Sequence, residues 1–193
     1  MMQSLIFAVY PILKTSLNLT FSQIGIIGFV YQITASLLQP IVGIYTDKSH
    51  KPYSLVFGMF CTLFGLFLLA FAKEFYLLLI AVSIIGTGSS VFHPEASRVA
   101  RMSGKGKHGF SQSFFQVGGN LGTAIGPLLA AFIILKKGQE SIVWFCFAAF
   151  FGMILLTYVG RWFDKVKNSN QNSKKHLISE SVLPKKKIAF CFF

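Results

Sequence analysis

Stretches without a single Asp, Glu, Lys or Arg organise this chain: 15–46, 52–72, 75–93, 108–135 and 141–160. A helix that crosses a bilayer needs about 20 mostly apolar residues. The pattern therefore predicts five spanning helices, at 21–44, 53–72, 75–96, 109–135 and 141–160. Residues 1–13 are apolar but too short to cross alone, and Lys14 follows them; they read as the closing part of a first helix. Residues 161–187 are polar and basic and contain the run Asn168-Ser169-Asn170-Gln171-Asn172-Ser173, which reads as a flexible linker. The apolar run 188–193 that follows Lys185, Lys186 and Lys187 reads as the start of a further helix. The expected organisation is a transmembrane bundle over 1–160, a basic linker over 161–187 and the beginning of a next helix over 188–193. The fold class is all-α, a polytopic bundle.

Composition changes this picture little. Hydrophobic residues make up 53% of 193 positions and mean hydropathy is +0.62, more apolar surface than a soluble fold of this size can hide. The net charge of +12 suggests nucleic acid at first sight. Its placement argues otherwise, because the basic residues sit between the apolar runs and form no aromatic-plus-basic platform or zinc-finger spacing. No nucleic-acid partner is expected. Cys61, Cys146 and Cys191 lie in or beside apolar runs with no metal-like spacing, so neither a metal site nor a cofactor is predicted.

Charge does orient the chain. One set of loops carries Lys48, Lys51, Arg98, Arg101, Lys105 and Lys107, and the linker adds eight more basic residues. The other side holds only Lys14, Lys73, Lys136 and Lys137. The basic side is expected to face the cytoplasm, with the linker, and the lipid bilayer is the first partner.

Four groups of residues stand out. Gly43, Asp47, Lys48 and Lys51 close the second run; a glycine lets a helix end pack closely, and Asp47 can face the positive end of a neighbouring helix. An ordinary charged stop to a helix has the same look. Gly118, Gly122 and Gly126, followed by Pro127, fall every four residues and would let a neighbouring backbone approach. Gln112, Gln116 and Asn120 share another stripe of that helix, while Gln32, Ser36 and Gln39 share a face of the second run. Amides at membrane depth must face the bundle interior or a wet cavity, so they are candidate cavity-lining groups or interhelical hydrogen bonds. Finally His93, Glu95, Arg98 and Arg101 cluster at the end of the fourth helix, as a proton-linked group or a structural charge cluster.

Two of these groups resemble elements of the major facilitator superfamily. Gly43, Asp47, Lys48 and Lys51 match its Gly-x-x-x-Asp-Arg/Lys loop between helices two and three, which the resemblance implies is a gating latch. The match loosens at Ser49-His50, where the family often has glycine. Gly122-Thr123-Ala124-Ile125-Gly126-Pro127 is similar to the Gly-x-x-x-Gly-Pro element of helix five in drug/proton antiporters. Ser36-Leu37-Leu38-Gln39-Pro40, the run 86–101 and 113–120 together resemble the fosmidomycin-resistance branch over 3–160. The resemblance implies the N-terminal six-helix half of a transporter, effluxing a small drug against protons at the bacterial inner membrane. Its partner would be a C-terminal six-helix half.

Departures exist as well. The His and Asp that the branch carries in helix one have no counterpart here, and no Arg occurs in helix four before Arg98. An enzyme is not expected, since the chain has neither a His-Glu-x-x-His element nor a nucleophile elbow. A non-transporting fragment or regulatory membrane module remains the alternative to a transporter.

Overall fold

A computed structural model describes residues 2–48, 53–104 and 106–181. Its helices are α1 (Met2–Ser16), α2 (Phe21–Lys48), α3 (Ser54–Phe71), α4 (Phe75–Ser103), α5 (His108–Lys137) and α6 (Val143–Ser181), with a 3-10 turn at Gln139–Ile142. Five segments are long and apolar enough to cross a membrane: Phe21–Ile44, Ser54–Phe71, Phe75–Ser103, His108–Ile134 and Gln139–Trp162. These are the five expected from the charge-free runs, to within a few residues except at the end of α4. There the helix outlasts the apolar run and carries Arg98 and Arg101 through its final turns.

The turns have local causes. Thr20 and Gln23 form a capping box at the start of α2: the Thr20 N–H donates to Gln23 Oε1 at 2.8 Å, and the Gln23 N–H donates to Thr20 Oγ1 at 3.3 Å. Gly106 (φ +95°) and Gly138 (φ +81°) take left-handed backbone between α4 and α5 and after α5, where an L side chain would be strained. Asn18, at φ 50°, does the same between α1 and α2, as asparagine tolerates.

Helix α4 is the hub, packing against α2, α3 and α5, while α6 covers α3 and α1 lies on α5. Half of the most apolar window of α4 is buried, against 17% for α2 and α5. Backbones come into direct contact to achieve this. A Cβ built on Gly58 of α3 would lie 2.9 Å from the Gly88 carbonyl oxygen, and one on Gly88 would lie 2.5 Å from the Gly58 oxygen. One on Gly65 would lie 2.9 Å from the Ala81 oxygen. On the other side of α4, Gly86 meets Thr34 and the Tyr31 carbonyl of α2. Such separations admit no side chain. The apolar core then runs through Ile6, Val9 and Leu13 of α1, Ile27 and Tyr31 of α2, and Leu66 and Leu69 of α3, to Leu78, Val82 and Ile85 of α4.

The polar stretch expected as a flexible linker begins as helix, because α6 continues past Gly160 to Ser181. Residues 161–181 contain neither Pro nor Gly, so no strong breaker stops the helix where the apolar run ends. The start of a further helix at 188–193 lies outside the described residues.

Replacing Gly88 by Ala should lower stability by about 1–3 kcal/mol, the usual range for overpacking, because its new methyl meets backbone that cannot move aside. Gly118→Ala, with nothing within 4 Å, should be neutral or slightly stabilising through helix propensity. Thermal unfolding in detergent separates the two.

Candidate functional site

The predicted site residues fall into two regions of the bundle. The first is the end of α4 near the basic loops. Glu95 is only 2% exposed, and its Oε1 accepts a hydrogen bond from Arg98 Nη1 at 2.9 Å, one helical turn on. A buried carboxylate is tolerated only with such a partner. Arg101 is exposed, and its carbonyl accepts from His108 Nδ1 at 2.9 Å across the turn into α5. His93 is exposed, with its ring edge-on to Phe92. So Glu95 and Arg98 are brought together, while Arg101 joins the α4–α5 connection.

The second region is the little-buried surface of α2 and of α5. Among the described residues the buried positions of α2 are Ile27, Tyr31 and Ala35, and those of α5 are Gly126, Ala130 and Ile134. Everything between Gly109 and Ile125 on α5 is half-buried or exposed. Gln116 and Asn120 are exposed there, and Gln112 exchanges hydrogen bonds with Ser97 of α4, at 3.0 and 3.2 Å. On α2, Gln32 Nε2 donates to Ser36 Oγ at 3.0 Å, both residues being exposed, and Gln39 is half-buried. Of the six, Gln112 thus bonds to a neighbouring helix, Gln32, Ser36, Gln116 and Asn120 are exposed, and Gln39 is half-buried.

The glycine stripe follows the same division. Gly126 is buried and Gly122 half-buried, but Gly118 is exposed with open space where a Cβ would stand. Close contacts to neighbouring helices are made at Gly58, Gly65, Gly86 and Gly88. At the end of α2, Gly43 is half-buried with nothing within 4 Å of a built Cβ, so the expected close packing there is not made by the described residues. Asp47 and Lys48 fall in the last turn of α2, and Lys51 lies outside the described residues.

Two residues that sequence reasoning passed over hold the bundle's opposite end. Gln139 Nε2 donates to the carbonyls of Leu69 and Ala72, both at 2.8 Å, and so caps the end of α3 from a distant turn. Its Oε1 accepts from Ser16 Oγ of α1 at 3.4 Å. Ser141, 6% exposed, bonds the Gly138 carbonyl at 2.5 Å and steadies that turn. A Gln just after a left-handed Gly was the only available signal. Among the described residues no group of three or more His, Cys, Asp or Glu is placed to hold a metal.

A bundle of helices among the described residues, five of them long and apolar enough to cross a bilayer, defines a polytopic membrane protein. The chain belongs to the Major Facilitator Superfamily, whose family model matches residues 1–193. It is 50% identical over 188 residues to the fosmidomycin resistance protein of Escherichia coli (strain K12), covering 97% of this chain and 46% of that protein. It is 45% identical over 162 residues to the uncharacterized MFS-type transporter YfnC of Bacillus subtilis (strain 168), covering 84% and 40%. A probable nitrate transporter, NarT of Staphylococcus carnosus (strain TM300), is 29% identical over 143 residues, covering 74% and 37%. The chain therefore spans about half the length of the curated relatives it matches. No solved structure matches it.

The Glu95–Arg98 pair makes its own prediction. Arg98→Ala strands a buried carboxylate and should cost about 3 kcal/mol, whereas adding Glu95→Gln to it should restore much of that loss. A double-mutant cycle on thermal unfolding reads the coupling; strictly additive losses would show that the pair is not coupled.

Proposed function

We propose that this chain forms one six-helix half of a proton-coupled efflux transporter for a small drug such as fosmidomycin, with the basic end facing the cytoplasm of a bacterial inner membrane. The observation that carries this reading is the little-buried surface of α2 and of α5. Gln32, Ser36, Gln116 and Asn120 are exposed at membrane depth, and beyond the Gln32–Ser36 bond lipid offers their remaining donors and acceptors no partner. A surface of that kind calls for a wet cavity or a second protein body. The relatives, about twice as long as this chain, have the extra length for a second body. Two such bundles would hold a substrate site between them, near the midplane, with alternating access by rocking.

In this reading the roles divide simply. Gln32, Ser36, Gln39, Gln112, Gln116 and Asn120 line the cavity and offer donors and acceptors to a polar solute. The exposed Gly118 and half-buried Gly122 receive a helix of the second bundle. Gly43, Asp47, Lys48 and Lys51 latch the basic end, and the region of His93, Glu95, Arg98 and Arg101 couples the latch to charge. Proton movement drives efflux only by favouring one conformation over another. The substrate name comes from the Escherichia coli relative and from the resemblance of residues 3–160 to that branch.

The test is made in fosmidomycin-sensitive cells. The chain expressed alone should leave the inhibitory concentration unchanged. The chain expressed with the part of the Escherichia coli relative that it does not cover should raise that concentration, and the two pieces should co-purify. Resistance from the chain alone would overturn the need for a second body. Co-purification without resistance would favour a regulatory membrane module, and neither result would leave the transporter reading without support.

A further inference from the structure

We propose that the hollow between the end of α3 and the turn into α6 holds the headgroup of a zwitterionic aminophospholipid, with Lys73 on its phosphate and Glu140 on its ammonium.

The hollow has a volume of about 310 Å³, within the range of about 300–1,000 Å³ of small-molecule sites. The chain from Ala70 to Lys73 lines one side, and Gly138, Gln139 and Glu140 line the other. The spans fix its depth in the bilayer, because Phe71 closes one of them and Gln139 opens another. It therefore sits where hydrocarbon gives way to headgroups. Phe71, Tyr76 and Trp144 are exposed at the ends of their helices nearby, as aromatic residues at that level usually are. The walls are held by the fold itself. Gln139 Nε2 is committed to the Leu69 and Ala72 carbonyls, and its Oε1 accepts from Ser16 Oγ. Gly138 turns the chain at φ +81° and puts no side chain over the opening.

Two charges of opposite sign line this hollow. Lys73 and Glu140 are both exposed, and among the described residues they form no ion pair with each other. Paired, they would satisfy one another; apart, they offer a cation and an anion to a single ligand. The end of α3 strengthens the negative side. Its last carbonyls have no partner further along the helix, and its last turn carries no basic side chain. Gln139 takes only those of Leu69 and Ala72, so the negative pole of an 18-residue helix lies beside Glu140. A ligand that suits both walls carries an anionic group and a hydrogen-bonding cation a few bonds apart. The phosphoethanolamine head of a phospholipid has both, and its acyl chains would run along the exposed rings of Phe67 and Phe71. A phosphoglycerol head lacks the cation. A phosphocholine head has no N–H to give to Glu140. The site rests on the spans and the hollow, and stands whether or not the chain takes part in transport.

The test is native mass spectrometry of the full chain in detergent, titrated with phosphatidylethanolamine, phosphatidylglycerol and phosphatidylcholine of identical acyl chains. The expected result is one phosphatidylethanolamine held roughly tenfold more tightly than either of the others, the discrimination that one charge-assisted contact supplies. Glu140→Gln should remove most of that preference. Lys73→Gln should weaken phosphatidylethanolamine roughly tenfold, and Lys73→Arg should hold it. Glu74→Gln, next to Lys73 but outside the lining, should change nothing. All three positions are exposed, and thermal unfolding of each variant confirms that the fold is kept. Equal affinity for the three lipids in the unmodified chain would overturn the proposal. So would a preference that survives both Lys73→Gln and Glu140→Gln, which would put the lipid elsewhere. Equal binding of soluble glycerophosphoethanolamine, which has no acyl chains, would overturn the lipid as occupant in favour of a free phosphate ester.

Discussion

The bundle depends on backbone-to-backbone contact between α3 and α4. Helices in lipid gain nothing from hiding apolar side chains from one another, because the lipid is as apolar as they are. Close packing must supply the attraction, and close packing needs positions without side chains. Gly58, Gly65 and Gly88 provide them on the α3 side of α4, and Gly86 provides one toward α2. With α4 seated between two neighbours, its buried hydroxyls and Glu95 acquire fixed surroundings. The tie from Gln139 to the last carbonyls of α3 then holds the far end of that pair.

The same constraint explains what is left uncovered. With its closest contacts around α4, the bundle fully buries only Ile27, Tyr31 and Ala35 of α2 and Gly126, Ala130 and Ile134 of α5 among the described residues. The remainder of both helices mixes large apolar groups such as Leu37, Phe114 and Val117 with Gln32, Gln116 and Asn120. A face for lipid would have dispensed with the amides. A face for water alone would have dispensed with the phenylalanine. The mixture suits a surface that meets another protein body along its rims and an aqueous cavity in between.

Most of the fold was legible in the sequence, because the need to satisfy every backbone group in lipid leaves helices as the only choice for runs such as 53–72 and 109–135. Charge-free runs fix span positions without any tertiary information. The site was legible only in kind. Gln112, Gln116 and Asn120 declare themselves as polar groups at membrane depth, but the sequence does not say that the first binds Ser97 while the others stay exposed. Glycine periodicity is likewise only part of the signal. The regular stripe from Gly118 to Gly126 is conspicuous, whereas the contact pair Gly58 and Gly88 has partners 30 residues apart and no period. Gln139 and its carbonyls at Leu69 and Ala72 are further apart still, so nothing local announces the cap. The end of α6 differed for another reason: loss of hydrophobicity marks where a helix leaves the membrane, not where it stops.

The account stands or falls on whether the amide-bearing flank meets water rather than lipid. The direct measurement is labelling by a membrane-impermeant thiol reagent, in native membranes, of single cysteines at Gln116, Asn120 and Phe147 in a chain lacking its own cysteines. Phe147 is 65% exposed on the apolar side of α6 and serves as the lipid-facing reference. The account predicts labelling at Gln116 and Asn120 when the second body is present, slowed by substrate, and none at Phe147. Equal silence at all three positions under those conditions, or equal labelling, would contradict it.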